Sequence, residues 1–250
     1  MARVFITGSA DGLGRATAQT LLDDGHEVVV HARNADRLAA VRDLVDRGAN
    51  AVTGDLANLE QTRDVAAQVN SRGSMDAVIH NAGVMSSPDV MTVNVIAPYL
   101  LTALIDRPQR LIYLSSGMHR GGRADLRRLG GSSYSDSKLL VTTLAMAVAR
   151  LWPDVYSHAV DPGWVPTRMG GAGAPDDLRL GHLTQEWLAT SDDPAAWTSG
   201  GYWYHQRRAE PHPASLDRQF QDDLVAVLAR STGTPLSAPS RSAVHSRQQG

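Results

Sequence analysis

Tyr134 and Lys138 stand four residues apart in the run Tyr-Ser-Asp-Ser-Lys, which opens a stretch of helical pattern. On a helix, positions i and i+4 lie one above the other on one face, so a phenol and an ammonium are held side by side. A free phenol loses its proton near pH ~10, and an adjacent cation lowers that value. The expected product is a proton donor and acceptor usable near neutrality. Lys138 is also the sole lysine of the 250-residue chain, whose other 23 basic side chains are arginines. A compact ammonium with rotatable donors does what a planar guanidinium fork cannot, so a lysine kept at this one position has a chemical reading. The plainer alternative is a solvated helix start, because Tyr-x-x-x-Lys by itself is common.

The rest of the chain must supply the frame. Its length, with 42% hydrophobic and 20% charged residues, suits one soluble domain with a substantial core. A net charge of −2 offers no electrostatic case for nucleic acid or an anionic membrane. The lack of cysteine excludes disulfides and thiolate metal sites, and the nine histidines show no metal-ligand spacing. No apolar run reaches the ~18 residues that a membrane span needs. The chain opens directly on a strand pattern with no signal peptide, and a cytoplasmic location is expected.

Strand and helix patterns alternate along the chain. Val4, Phe5 and Ile6 lead into Thr-Gly-Ser-Ala-Asp-Gly-Leu-Gly at 7–14, and a helical pattern follows. Strand, glycine-rich turn and helix together make a phosphate-binding unit, since glycines let the backbone approach and the helix N-terminus offers free N–H groups. A second strand, 27–31, runs into Ala32-Arg33-Asn34; a helix is expected through Leu38, Val41, Leu44 and Val45. Strands follow at 49–53, 75–79, 111–114 and 155–160, and a last one at 202–204. Such alternation predicts an α/β fold: a single-domain, three-layer α/β/α, doubly wound parallel sheet of Rossmann type, with ligands at the carboxyl ends of the strands. Gly8, Arg33, Asp55, Asn81 and Ser116 all fall at such ends. An acidic residue at the end of the second strand would suit a ribose 2′-hydroxyl; Arg33 instead suits a 2′-phosphate and so favours NADP over NAD. Asp11 adds an opposing charge in the turn. The arginine-rich stretch 117–131 is expected to be a loop. The helix at 134–151, apolar almost all round, is expected to be buried on more than one side, with the sheet and a partner subunit as the candidate covers. A final amphipathic helix is expected over 216–228. The domain is expected to span 1–231, and the Ser/Pro/Gly/Arg-rich stretch 232–250 to form a disordered tail.

Taken together, the Thr7–Gly14 turn, Asp55-Leu56, Asn81-Ala82-Gly83, Asn94, Ser115-Ser116, Tyr134/Lys138 and Pro162-Gly163 with Thr167 resemble the short-chain dehydrogenase/reductase family over about residues 3–205. Ser-Ser-x-x-His at 115–119 and Ser-Gly-Gly-Tyr at 199–202 look nearest its retinol-dehydrogenase-like and ketoreductase branches. The resemblance implies that Tyr134 exchanges a proton with a carbonyl or alcohol oxygen. Ser116 would hydrogen-bond that oxygen, Lys138 would hold the nicotinamide ribose, and Asn94 would order a water relaying protons towards Lys138. It also implies a cofactor site of Gly8, Ser9, Asp11, Gly12, Leu13, Gly14, Arg33, Asp55, Leu56, Asn81, Ala82, Gly83, Tyr134, Lys138, Pro162, Gly163, Val165 and Thr167.

The expected function is thus an NADP-dependent oxidoreductase interconverting a small apolar ketone or aldehyde and its alcohol. A non-catalytic NADP sensor on the same fold is the rival. The stretch from Asn81 to Asn94 and the helix beyond it are shorter than is usual in that family. This region usually helps to build the dimer interface, so a homodimer is left open.

Overall fold

The computed structural model describes residues 1–127 and 133–236. Among the described residues eight strands form one sheet in the order β3-β2-β1-β4-β5-β6-β7-β8. They are β1 (Arg3–Ile6), β2 (Glu27–Ala32), β3 (Asn50–Thr53), β4 (Ala77–His80), β5 (Arg110–Leu114), β6 (Tyr156–Asp161), β7 (Gly201–Tyr204) and β8 (Arg207–Ala209). Pairing is parallel throughout except between β7 and β8. The helices are α1 (Gly12–Asp23), α2 (Ala35–Leu38), α3 (Arg42–Asp46), α4 (Leu59–Asn70), α5 (Ala97–Leu104), α6 (Tyr134–Leu151), α7 (Leu178–Thr190) and α8 (Arg218–Thr232).

Both sheet faces are covered, which is why the inner strands read as unbroken apolar runs. Side chains alternate across the pleat. Val4 and Ile6 of β1 join the cluster holding Ala18 and Leu21 of α1 and Leu188 of α7, whereas Phe5 joins that of α4, α5, α6 and α8. Strand β5 divides the same way: Ile112 and Leu114 go to the first cluster, Leu111 and Tyr113 to the second. This is the expected three-layer, doubly wound fold.

Three elements differ from the sequence reading. The helix expected through Leu38–Val45 is broken: a 3-10 turn at Ala39–Val41 separates α2 from α3. The Arg15 guanidinium from α1 donates to the Ala40 carbonyl at 2.5 Å and to Asp43 at 2.6 Å, fixing the break from outside the segment. The stretch expected as a loop from 117 begins with a 3-10 turn, Gly117–Gly121, and its last part lies partly outside the described residues. Strand β8 forms a hairpin with β7 through His205 and Gln206, both at positive φ (46° and 59°). Asn and Gly usually mark such a turn, so nothing local announced it.

Helix α6 is buried from Asp136 to Val148. Helix α8 packs along it, with Arg150 Nε donating to Gln221 at 2.8 Å. Its all-round apolar character is thereby satisfied within the chain, and no partner subunit is needed to explain it.

The expected boundary near 231 falls inside a packed segment; of the stretch expected as a tail, 237–250 lies outside the described residues. The buried Tyr99 hydroxyl donates to the Thr234 carbonyl at 2.8 Å, Arg63 donates to Thr234 Oγ1 at 2.9 Å, and Leu236 packs on the core. Ending the chain at Ser231 would strip Tyr99 of its acceptor, a loss of roughly 1–3 kcal/mol. That truncation is expected to melt several degrees below one ending at Leu236, read by thermal unfolding of the two proteins side by side.

Candidate active site

Helix α6 starts at a capping box. Ser133 Oγ accepts from the Asp136 amide at 3.1 Å, and the Asp136 carboxylate accepts from the Ser133 amide at 3.0 Å. Arg123 donates to the same carboxylate at 2.9 Å, so the turn that carries Tyr134 is fixed from both sides. Lys138, one turn on, is only 4% exposed. Its Nζ donates to the Leu114 carbonyl at 2.8 Å and stands 5.4 Å from the centroid of the Tyr134 ring. Gly83 lies against it: a Cβ there would stand in ordinary contact with Nζ, at 3.5 Å.

The two serines after β5 are separated by the pleat. Ser115 is buried, its Oγ 2.6 Å from Thr142 Oγ1. Ser116 lies near enough to the Tyr134 phenol to act on its ionisation, and its Oγ accepts from the Met118 amide at 3.2 Å. The phenol also donates to Met169 Sδ at 4.0 Å. Asn94 lies in a π-helical turn, Thr92–Ile96, that runs into α5. Its Oδ1 accepts from the Val84 amide at 2.8 Å, and its Nδ2 donates to the Val84 carbonyl and to Ser137 Oγ, each at 2.9 Å. Both amide hydrogens are engaged, which leaves the second lone pair of Oδ1 for a water.

The electrostatics differ from expectation. Burial pushes the Tyr134 phenol up to about 12; the Ser116 hydrogen bond works against that rise and the Asp161 charge adds to it. A phenol lowered towards neutrality by its lysine is therefore not what the structure has. The ammonium is directed at Leu114, and burial lowers Lys138 itself to about 8, with Asp161 opposing the drop. Of the two, the group that titrates nearer neutrality is the lysine.

The turn after β1 faces this pair from the neighbouring strand ends. Gly8 has φ 65°, and a Cβ there would stand 2.9 Å from Ala82 Cα. Thr7 Oγ1 accepts from the Asn81 and Ala82 amides at 2.9 and 3.0 Å, while Asn81 Nδ2 donates to the Thr7 and Gly8 carbonyls at 2.9 and 3.2 Å. A Cβ on Gly14 would come within 2.3 Å of that Nδ2. Asn81 and Ala82 thus lock the glycine-rich turn in place. Over the turn lies the segment after β6: a Cβ on Gly12, at φ 53°, would meet Thr167 at 3.4 Å. Pro162 and Gly163 begin that segment, and the Gly163 amide donates to Asp161 Oδ1 at 3.0 Å.

Several expected contacts are made inside the fold instead. Ser9 is buried, its hydroxyl donating to the Ile6 carbonyl at 2.8 Å and accepting from the His31 amide at 2.7 Å. Leu56 sits in the core cluster. Leu13 and Val165 both face Gly181 of α7, where a Cβ would come within 3.1 and 2.6 Å of them. These residues shape the site rather than present polar groups to it.

At the outer end, Arg33 is 68% exposed and lies 3.9 Å from Asp55. Arg37, which the sequence did not single out, stands 3.8 Å from Asp11 and offsets the charge expected to weaken the site. His31 was also missed. Its Nδ1 accepts from the Gly8 amide at 3.0 Å and its Nε2 donates to the Gly54 carbonyl at 2.8 Å, tying the turns after β1 and β3 together. Burial lowers its pKa, consistent with a neutral ring in that bridge. Two positive-φ glycines, the α1 N-terminus, where Asp11 Oδ1 accepts from the Gly12 amide at 2.8 Å, and two arginines beyond it fit the phosphates of a dinucleotide.

Residues 2–177 match the family model described as short chain dehydrogenase. Among curated proteins, an uncharacterized oxidoreductase of Emericella nidulans is 37% identical over 93% of this chain and 98% of its own. The short-chain dehydrogenase chyC of Penicillium rubens is 34% identical over 95% of this chain and 100% of its own. A solved structure of an uncharacterized protein from Mycobacterium paratuberculosis superposes with a TM-score of 0.80 at 24% identity, covering 95% of each chain.

Proposed function

We propose that this chain, which belongs to the short chain dehydrogenase family, reduces a carbonyl group with NADPH and that Tyr134 donates the proton. The observation that carries the proposal is the Tyr134–Lys138 pair, phenol and ammonium on one helical face with Ser116 on the phenol. When bound, NADPH supplies the hydride. The chain's own residues hold the carbonyl and handle its proton.

Ser116 and Tyr134 are neighbours, and in this reading a carbonyl oxygen bound beside them receives a hydrogen bond from each as negative charge develops on it. With its pKa raised to about 12, Tyr134 keeps its proton at neutral pH, which suits the acid needed for reduction. Lys138 gives the site a positive charge that favours the phenolate left behind, and its ammonium is the proposed contact for the nicotinamide ribose. Met169 touches the phenol, and Met118 and Trp164 are 50% and 60% exposed, which favours an apolar substrate. The oxidoreductase names of the relatives accord with this chemistry.

Arg33, just after the second strand, and Arg37, in α2, favour NADPH over NADH. Arg33→Ala is expected to lower the NADPH preference about tenfold or more through loss of a charge-assisted contact to the 2′-phosphate. Dissociation constants for both cofactors, in wild type and variant, check it; an unchanged ratio would remove Arg33 as the reader. The reductase reading is tested by carbonyl-dependent loss of NADPH absorbance.

A further inference from the structure

The Ser115 amide, just past β5, still donates to the Val160 carbonyl of β6, at 2.7 Å. Ser116 lies one residue beyond and caps the 3-10 turn Gly117–Gly121. Its carbonyl is held by one residue of that turn. The His119 amide donates to it at 3.0 Å, and His119 Nδ1 stands 2.8 Å from the same oxygen. Ser116 Oγ accepts from the Met118 amide at 3.2 Å, which occupies one lone pair and leaves the hydroxyl hydrogen to be given elsewhere.

The state of the imidazole follows from its other nitrogen. Nε2 is 3.0 Å from the His212 amide, which can only donate, so Nε2 carries the lone pair and Nδ1 the hydrogen given to Ser116. His119 is fully buried, its ring 4.5 Å from that of Tyr202 and its Nδ1 3.2 Å from the Tyr202 hydroxyl. Burial lowers its pKa, in keeping with a neutral ring. A proton added to Nε2 would set two N–H groups against each other at His212. Arg120 makes a second tie across the same gap, donating to the Glu210 carbonyl at 2.5 Å. Residues 210–212 are thus bound to the turn that starts at the serine.

We propose that His119, as a neutral imidazole with its hydrogen on Nδ1, is a positioning residue for the Ser116 hydroxyl, clamping the serine's carbonyl with one nitrogen and anchoring residues 210–212 with the other. A donor aimed at a developing charge works only if its position is set before the charge appears. Here the side chain three residues on sets it. The consequence for turnover rests on the reductase reading; the tautomer and the clamp do not.

Two substitutions separate the two nitrogens. In His119→Asn the amide nitrogen takes the place of Nδ1 and still donates to Ser116, while the acceptor for His212 is lost. In His119→Gln the amide oxygen reaches the place of Nε2 and still accepts from His212, while the donor to Ser116 is lost. At saturating NADPH, His119→Gln is expected to lower kcat about tenfold or more, and His119→Asn to recover most of that loss. NADPH affinity should stay near wild type in both. A kcat in the Gln variant equal to or above that of the Asn variant, or one that merely follows melting temperature, overturns the assignment. Should neither variant fold, wild type labelled with ¹⁵N in its histidines decides, with the His119 ring identified by its contact with the Tyr202 ring. The expected spectrum near neutral pH has a slowly exchanging hydrogen on Nδ1 and none on Nε2. A hydrogen on Nε2 overturns the clamp. A wild type that turns over no carbonyl sinks the reductase reading alone, since the tautomer is read without substrate.

Discussion

Tyr134→Phe is expected to lower turnover of a carbonyl substrate by about 10²–10⁴-fold, the usual worth of a positioned general acid. The substitution removes one hydroxyl and keeps the ring. That hydroxyl contacts Ser116 and Met169, so little of the packing depends on it. Melting temperature and NADPH affinity should therefore stay close to wild type while kcat collapses. A matching loss in both would indicate a disturbed fold rather than a lost proton.

Lys138→Arg is the second large effect, although it keeps the charge and a good helix former. The ammonium occupies a pocket closed by the Leu114 carbonyl at 2.8 Å and bordered by Gly83. A planar fork with a longer reach cannot occupy that spot without displacing Gly83 or Asn94. Turnover is expected to fall on the order of a hundredfold. The pH dependence carries a second signature. In the proposed mechanism the protonated lysine is the active form, so reduction should weaken as pH rises through about 8. Arginine does not titrate there, and whatever activity remains should lack that fall. Steady-state profiles from neutral to alkaline pH separate the two.

The fold was readable because strand and helix periods alternate cleanly and the strands are apolar on both faces, as Val4, Phe5 and Ile6 show. The Tyr134–Lys138 pair was readable because four residues on a helix leave little choice of geometry. What escaped depends on partners distant in sequence. Arg15 reaches across to Ala40 and breaks a helix whose own residues favour continuing. His31 and Gln206 act through Gly54 and Thr184, on other elements. The phenol's pKa was misjudged for the same reason: spacing places the lysine on the expected face, but burial by neighbouring elements raises the phenol and sets the sign.

The most direct measurement is the loss of NADPH absorbance across a panel of apolar ketones and aldehydes, run with wild type and Tyr134→Phe under matched cofactor saturation. The account predicts that wild type consumes NADPH with at least one carbonyl and that the Phe variant, still binding NADPH, does so at most at a small fraction of that rate. Tight NADPH binding with no turnover of any carbonyl by wild type, or equal turnover by the two proteins, would contradict it.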